Sequence, residues 1–127
     1  MPDMNNTFPT EENLSGLNRK DFQKDIDDKQ TDLFILKNKK GMEVAVTNYG
    51  CAILSIMVPD KNGKYANVIL GHDSIDHVIN SPEPFLSTTI GRYGNRIAKG
   101  KFTLYAEEHS LTINNGPNSL HGGPTGF

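Results

Sequence analysis

From Thr31 to Leu70 the chain is cut into short apolar runs by turn-forming residues, and that punctuation narrows the possible folds more than any other feature. Met42 to Asn48 alternates Met42, Val44 and Val46 with Glu43, Ala45 and Thr47. Successive strand side chains point to opposite faces, so this period of two predicts a half-buried strand with its apolar set on one face. Thr31 to Lys37 is a strand candidate before it, separated by the turn Asn38-Lys39-Lys40-Gly41. Asn48-Tyr49-Gly50 breaks the pattern, and Cys51 to Val58 forms the next candidate. Pro59 to Lys64 follows as a hairpin turn, with Asn62-Gly63 suited to positive φ, and Tyr65 to Leu70 returns as a strand. Short strands with near-regular turns predict an all-β, antiparallel sandwich or barrel.

The flanking regions read differently. Met1 to Arg19 is polar and without periodicity, which predicts a mobile stretch, and Lys20 to Lys29 has only Phe22 and Ile26 at helical spacing. That charged part suits a short helix or a ragged edge strand. Residues 1–30 are therefore expected to be a flexible N-terminal segment, with 31–127 the N-terminal part of a sandwich domain. Asp73 or Ser74 is positioned to cap a short helix whose Ile75, Val78 and Ile79 share one face, and Ser81-Pro82-Glu83-Pro84 ends it. Phe102 to Tyr105 and His109 to Ile113 predict a further hairpin around Ala106-Glu107-Glu108.

Several function classes drop out. A chain of 127 residues is one domain or part of one, and its net charge of −2 gives no electrostatic case for nucleic acid or an anionic membrane. Ala52 to Val58 is far too short to span a bilayer, and the first residues lack a secretory pattern. Cys51 is the single cysteine, so no internal disulfide can form; a cytoplasmic setting fits, with Cys51 a small core residue. His72, His77 and His109 have no acidic or histidine partner at ligand spacing, and no metal or cofactor signature is present. Gly122 to Gly126 looks like a phosphate loop but lacks the lysine. The triplets Asn5-Asn6-Thr7 and Asn13-Leu14-Ser15 match the glycosylation sequon, a common chance match.

The chemistry concentrates in two blocks, Gly91-Arg92-Tyr93-Gly94-Asn95-Arg96-Ile97 and Asn114-Asn115-Gly116-Pro117-Asn118-Ser119-Leu120-His121-Gly122-Gly123. Arg96 supplies donors in a fixed plane, and Asn95 offers donor and acceptor, the mixture that neighbouring sugar hydroxyls need. The competing expectation is an arginine paired with a carboxylate at a sheet edge. His121 stands beside two glycines that leave one face of its ring open for a ligand; the alternative is an imidazole bonded to local backbone. Arg92 lies in the same block and ranks below Arg96. Asn115 and Asn118 are expected to shape the loop.

These blocks resemble the aldose 1-epimerase family, the galactose mutarotases. The likeness runs from Phe22 to Phe127, most specifically in Gly91 to Phe102 and Asn114 to Gly123, with Met42 to Gly50 and Val58 to Lys64 also similar to the family's opening strands. Such long, rare blocks in the right order are not accidental. The resemblance implies a galactose mutarotase-like antiparallel β-sandwich (a supersandwich), incomplete in this chain, with sugar held in an open cleft of the sheet. It implies an isomerase of carbohydrate metabolism that interconverts the α and β anomers of galactose and glucose without a cofactor or metal. It also implies a monosaccharide as partner and a monomeric full-length protein. The family's substrate-binding Asn-Arg pair falls on Asn95 and Arg96, and its first active-site histidine on His121, which the resemblance makes both catalytic and substrate-binding. The family's second histidine, carboxylate base and sugar-binding aspartate lie downstream of this chain. The expectation is therefore a chain inactive or very weak alone, with a non-catalytic carbohydrate-binding fragment as the alternative.

Overall fold

The computed structural model describes residues 13–125. Met1 to Glu12, with the sequon at Asn5, lies outside the described residues. The first two strands are short: β1 (Asp25–Ile26) pairs with β2 (Lys29–Gln30) across a turn whose Asp27 and Asp28 both have positive φ. The main sheet follows in sequence order from β3 (Leu33–Lys37) through β4 (Glu43–Thr47) and β5 (Ile53–Pro59) to β6 (Tyr65–Asn67), antiparallel throughout. The strands fall where the alternation and turns place them, except that β6 stops at Asn67. The Asn67 side chain there takes the Ile56 N–H at 3.0 Å and the Ile69 N–H at 3.3 Å, in place of a backbone acceptor, while Val68 N–H still donates to Ile56 O at 3.0 Å. The hairpin at Asp60 closes as expected: its carboxylate accepts from the N–H groups of Asn62 (2.7 Å) and Lys64 (2.9 Å), and Gly63 takes a φ of 80°.

The main sheet buries the opposite set of β4 residues from the one its valines suggest. Glu43, Ala45 and Thr47 are fully buried, while Val44 and Val46 are only half-buried. The register puts Val46 opposite Phe34 and Val44 opposite Leu36, and both partners are exposed. One face of the sheet therefore carries a core of Phe22, Leu33, Ala45, Leu54, Ile75 and Val78. The other face is apolar and open among the described residues. A strand layer apolar on both sides is one layer of an antiparallel sandwich.

Two features turn the smaller set inward. Phe22 and the helix α1 (Ile75–Ile79) cover that face, and α1 is capped by Ser74, whose Oγ takes the His77 N–H. Ile75 and Val78 face the sheet as the spacing predicts, and Ile79 is exposed. The Glu43 carboxylate, completely buried, accepts the N–H groups of Leu14 (2.8 and 3.0 Å) and Ser15 (3.2 Å), with Lys37 Nζ at 3.4 Å. A buried charge is tolerated only when hydrogen-bonded or paired, and here it is both. The N-terminal part is thereby tied to the sheet, so the boundary expected at residue 30 does not mark where packing begins. Low apolar content hid this: Phe22 is fully buried there, with Leu17 and Ile26 packed partly buried against the same core. The Asn13 side chain bonds Leu17 and Ser15 within its own turn, so the amide of the second sequon is already engaged.

Cys51 is exposed, not a core residue: it sits at φ 46° in the tight turn between β4 and β5. That turn is bound by a distant segment. Ile53 N–H donates to Ser87 O (2.8 Å), Thr89 N–H to Gly50 O (3.0 Å), and Thr89 Oγ1 to Cys51 O (3.0 Å). The stretch 85–91 is thus fixed alongside the sheet and leads into the first motif block. Beyond it, β7 (Arg96–Ile97) pairs with the last strand, β10 (Ser119–Leu120), and between them β8 (Lys101–Leu104) and β9 (Glu107–Ser110) form a hairpin. That hairpin turns at Tyr105-Ala106, both at positive φ, one residue earlier than the expected Ala106-Glu107-Glu108. Among the described residues no helix is long and apolar enough to cross a membrane.

Candidate functional site

The two motif blocks meet as a two-stranded ribbon. Ile97 pairs with Ser119 and Arg96 with Leu120, so Asn95 comes to lie beside His121. The two are joined twice: His121 N–H donates to Asn95 O at 2.9 Å, and Asn95 N–H donates to His121 Nδ1 at 3.0 Å. Both residues occupy the left-handed region, Asn95 at φ 63° and His121 at φ 52°, where asparagine and histidine are among the more tolerated non-glycine residues. Because Nδ1 accepts a backbone hydrogen, the neutral ring carries its own hydrogen on Nε2. Phe85, delivered by the segment fixed to the sheet, packs its ring 4.7 Å from the imidazole at a tilt of 60°.

Glycine is required next to the histidine. A Cβ on Gly122 would sit 1.9 Å from the carbonyl oxygen of Gly91, and the residue has a φ of 87°. The backbones of the two blocks therefore touch at a distance no side chain allows. Below the site, Asn114 clamps buried Leu120: its Oδ1 takes the Leu120 N–H (2.6 Å) and its Nδ2 donates to Leu120 O (3.0 Å). Asn118 accepts the Lys99 N–H at 3.3 Å, the loop-shaping part expected of it.

Arg96 is exposed, and its contacts are with amides, not with the carboxylate of the competing expectation. Its Nε donates to Asn115 Oδ1 at 2.8 Å and its Nη1 to Asn95 Oδ1 at 3.2 Å. His121 takes the backbone bond of its alternative expectation through Nδ1, and that bond leaves Nε2 unengaged by it. The acceptors of the trio are partly engaged internally: one lone pair of Asn95 Oδ1 by Arg96, and His121 Nδ1 by Asn95 N–H. What remains for a ligand is mainly donors, namely Asn95 Nδ2, the remaining guanidinium hydrogens and His121 Nε2, with the second lone pair of Asn95 Oδ1 as acceptor. Donors outnumber acceptors in this set. It suits lone pairs of hydroxyl and ring oxygens.

Among the described residues the trio is not walled in: Asn95 and Arg96 are exposed and His121 half-buried. A cavity of about 320 Å³ lies elsewhere, lined by Leu17, Leu54, Ser55, Asn67, Asp73 and His77 among others. His77 does have an acidic partner. Its Nδ1 lies 2.5 Å from Asp73 Oδ1, one helical turn earlier, and this bond holds the Asp73 carboxyl below the usual carboxylate range. The Asp73-to-His77 spacing of four was the available signal.

Residues 32–127 match the family model described as aldose 1-epimerase. The chain belongs to the aldose 1-epimerase family. It is 44% identical to a galactose mutarotase from Bos taurus over 86 residues, 68% of this chain and 25% of that protein. It is 38% identical to an aldose 1-epimerase from Escherichia coli (strain K12) over 95 residues, 75% of this chain and 27% of that protein. Among solved structures, an aldose epimerase homologue from C. elegans aligns with a TM-score of 0.65 at 33% identity, covering 74% of this chain and 29% of its own. A galactose 1-epimerase from Lactobacillus acidophilus NCFM aligns at 0.63 and 33% identity, covering 79% and 28%. This aldose 1-epimerase family member thus has the mutarotase-like all-β fold expected from its motifs, and it spans about a quarter of the length of the curated relatives it matches. Phe85 and Asn114 are the site residues that sequence reasoning missed. Asn114 stands inside the second block, whereas nothing in the local sequence marks Phe85.

Proposed function

We propose that this chain carries the sugar-holding loops of an aldose 1-epimerase that interconverts the α and β anomers of galactose and glucose-type aldoses. The observation that supports it is the convergence of Asn95, Arg96 and His121 from two loops through hydrogen bonds that leave mainly donors free. Mutarotation removes the proton of the anomeric hydroxyl and protonates the ring oxygen. The ring opens, the C1–C2 bond rotates, and closure on the other face reverses the transfers. Charge builds on sugar oxygens in both steps, and fixed donors stabilise it without reorganising. In this reading Arg96 and Asn95 bind and orient hydroxyls, and His121 Nε2–H donates to an oxygen at the reacting end.

Each positioned acid or base contributes on the order of 10²–10⁴-fold in rate. The trio contains no carboxylate, and the family's second histidine and glutamate base fall beyond its two blocks. The chain alone is therefore proposed to bind sugar far better than it turns it over. The same proposal includes a monosaccharide partner, a cytoplasmic setting, a monomeric full-length protein and residues 31–127 as the N-terminal part of the sandwich domain.

The lack of a carboxylate in the trio also favours a second reading, a carbohydrate-binding fragment without chemistry. Polarimetry of freshly dissolved α-D-galactose, paired with an NMR titration, separates the two. Acceleration above buffer that vanishes in His121→Ala supports the enzyme reading, and binding without acceleration supports the module. No galactose-induced shift at Asn95, Arg96 or His121 would remove both.

A further inference from the structure

Arginine at a binding site is useful only if its guanidinium is held still, and Arg96 is exposed on a short ribbon. Its long side chain carries rotamer freedom that ligand binding would otherwise have to remove. Two hydrogen bonds already fix its plane: Nε to Asn115 Oδ1 at 2.8 Å and Nη1 to Asn95 Oδ1 at 3.2 Å. Asn95 adjoins Arg96 and moves with it. Asn115 is anchored independently. Its N–H donates to Asn118 O at 3.1 Å and its carbonyl accepts from Asn118 N–H at 3.0 Å, closing a tight turn through Gly116. Asn118 in turn holds the Lys99 backbone, and Asn114 holds Leu120.

We infer that Asn115 is the positioning residue for Arg96: it takes the Nε hydrogen from a fixed loop and so presents the guanidinium end to the ligand. The chemical type matters. A carboxylate at this position would hold the side chain equally well but would neutralise it. The amide of Asn115 accepts one hydrogen bond and leaves the full positive charge for ligand oxygens. The ligand side of this inference rests on the sugar-binding reading above; the positioning itself does not.

The test uses the whole chain and two readouts. In ¹H–¹⁵N spectra the Arg96 Nε–H of the unmodified protein should be resolved, with an order parameter approaching the value of about 0.85 found for rigid backbone. It should stay ordered in Asn115→Asp and fall below about 0.6, the flexible range, in Asn115→Ala. An Nε already flexible in the unmodified chain, or one unchanged in Asn115→Ala, overturns the inference, and the first of these needs no variant to fold. D-galactose titration is the second readout. Holding one long side chain is worth about 0.5–1.5 kcal/mol, so Asn115→Ala should weaken binding roughly two- to twelvefold. Asn115→Asp should weaken it while leaving Nε ordered. Equal or tighter galactose binding by Asn115→Asp overturns the charge argument. A chain whose Nε behaves as described but which binds no galactose retains the positioning role and loses the sugar reading instead.

Discussion

Glu43 is the residue whose replacement most directly tests how this sheet is built. Its side chain is completely buried, yet Oε1 accepts from Leu14 N–H (2.8 Å) and Ser15 N–H (3.2 Å), and Oε2 from Leu14 N–H (3.0 Å). Glu43→Gln keeps the shape but replaces one acceptor by an NH₂ group, which meets the Leu14 donor head-on if it takes the Oε2 position. Hydrogen bonds to charged groups are worth about 1.5–3 kcal/mol, so the glutamine variant should lose about 2 kcal/mol. Glu43→Ala strands both amides and opens a cavity beside Ala45, for about 3 kcal/mol. Lys37 is partly exposed and can be hydrated again, so its lost partner adds little. With a urea m-value of about 1.5 kcal/mol/M, the midpoints should fall by about 1.3 M and 2 M respectively. Hydrogen exchange supplies the local check: the Leu14 and Ser15 amides should lose protection before Ala45 does. A glutamine variant within about 0.5 kcal/mol of the parent, with both amides still protected, would show that the carboxylate does not hold the N-terminal turn to the sheet.

Two further outcomes follow from other parts of the fold. The Arg19 guanidinium, bonded to Asp32, holds that carboxyl below its usual range, so the stability it adds is present above the unfolded value near pH 4 and is lost as pH falls through the lower folded value. Asp32→Asn should therefore lower the urea midpoint at pH 7 and flatten its decline below about pH 4; an unchanged acid limb would contradict this. Tyr105 and Ala106 hold φ values of 51° and 65° in the β8–β9 turn, positions that Asn-Gly fits without strain. The double change Tyr105→Asn with Ala106→Gly should raise the stability of the hairpin by about 1 kcal/mol, read as slower amide exchange at Phe102 and His109, a hydrogen-bonded pair of the ladder.

The parts of the fold legible in the sequence were those set by local chemistry. The turn at Asn62-Gly63, the Ser74 cap and the strand period of β4 each depend on residues within a few positions of one another. The phase of β4 was not legible, because a period of two states that a strand has two faces and not which one is covered. Both faces of this sheet are apolar, and what decides between them is Phe22 and the amides of Leu14 and Ser15, distant in sequence and set in a polar stretch. Cys51 misled for a related reason: residue type favoured the core, while the turn demanded a left-handed backbone at the surface. At the site, Asn95, Arg96 and His121 stood out by motif. Which of their atoms remain free depended on bonds spanning nineteen residues to Asn115 and twenty-six between Asn95 and His121.

That separation bears on function. The β7–β10 ribbon is a sheet of its own, apart from the four-stranded one, and its pairing of Asn95 with His121 is enforced by ladder bonds, the Asn114 clamp and the Gly91–Gly122 contact. None of these depends on which face of the main sheet is covered. The phase of β4, which the sequence left open, therefore has no bearing on the site. The connection that does matter is the one from Ser87 and Thr89 to the β4–β5 turn, since it fixes the segment bearing Phe85 beside the imidazole. Loosening that seam should move the histidine ring without opening the ribbon, which separates how the site is held from how the sheet is stabilised.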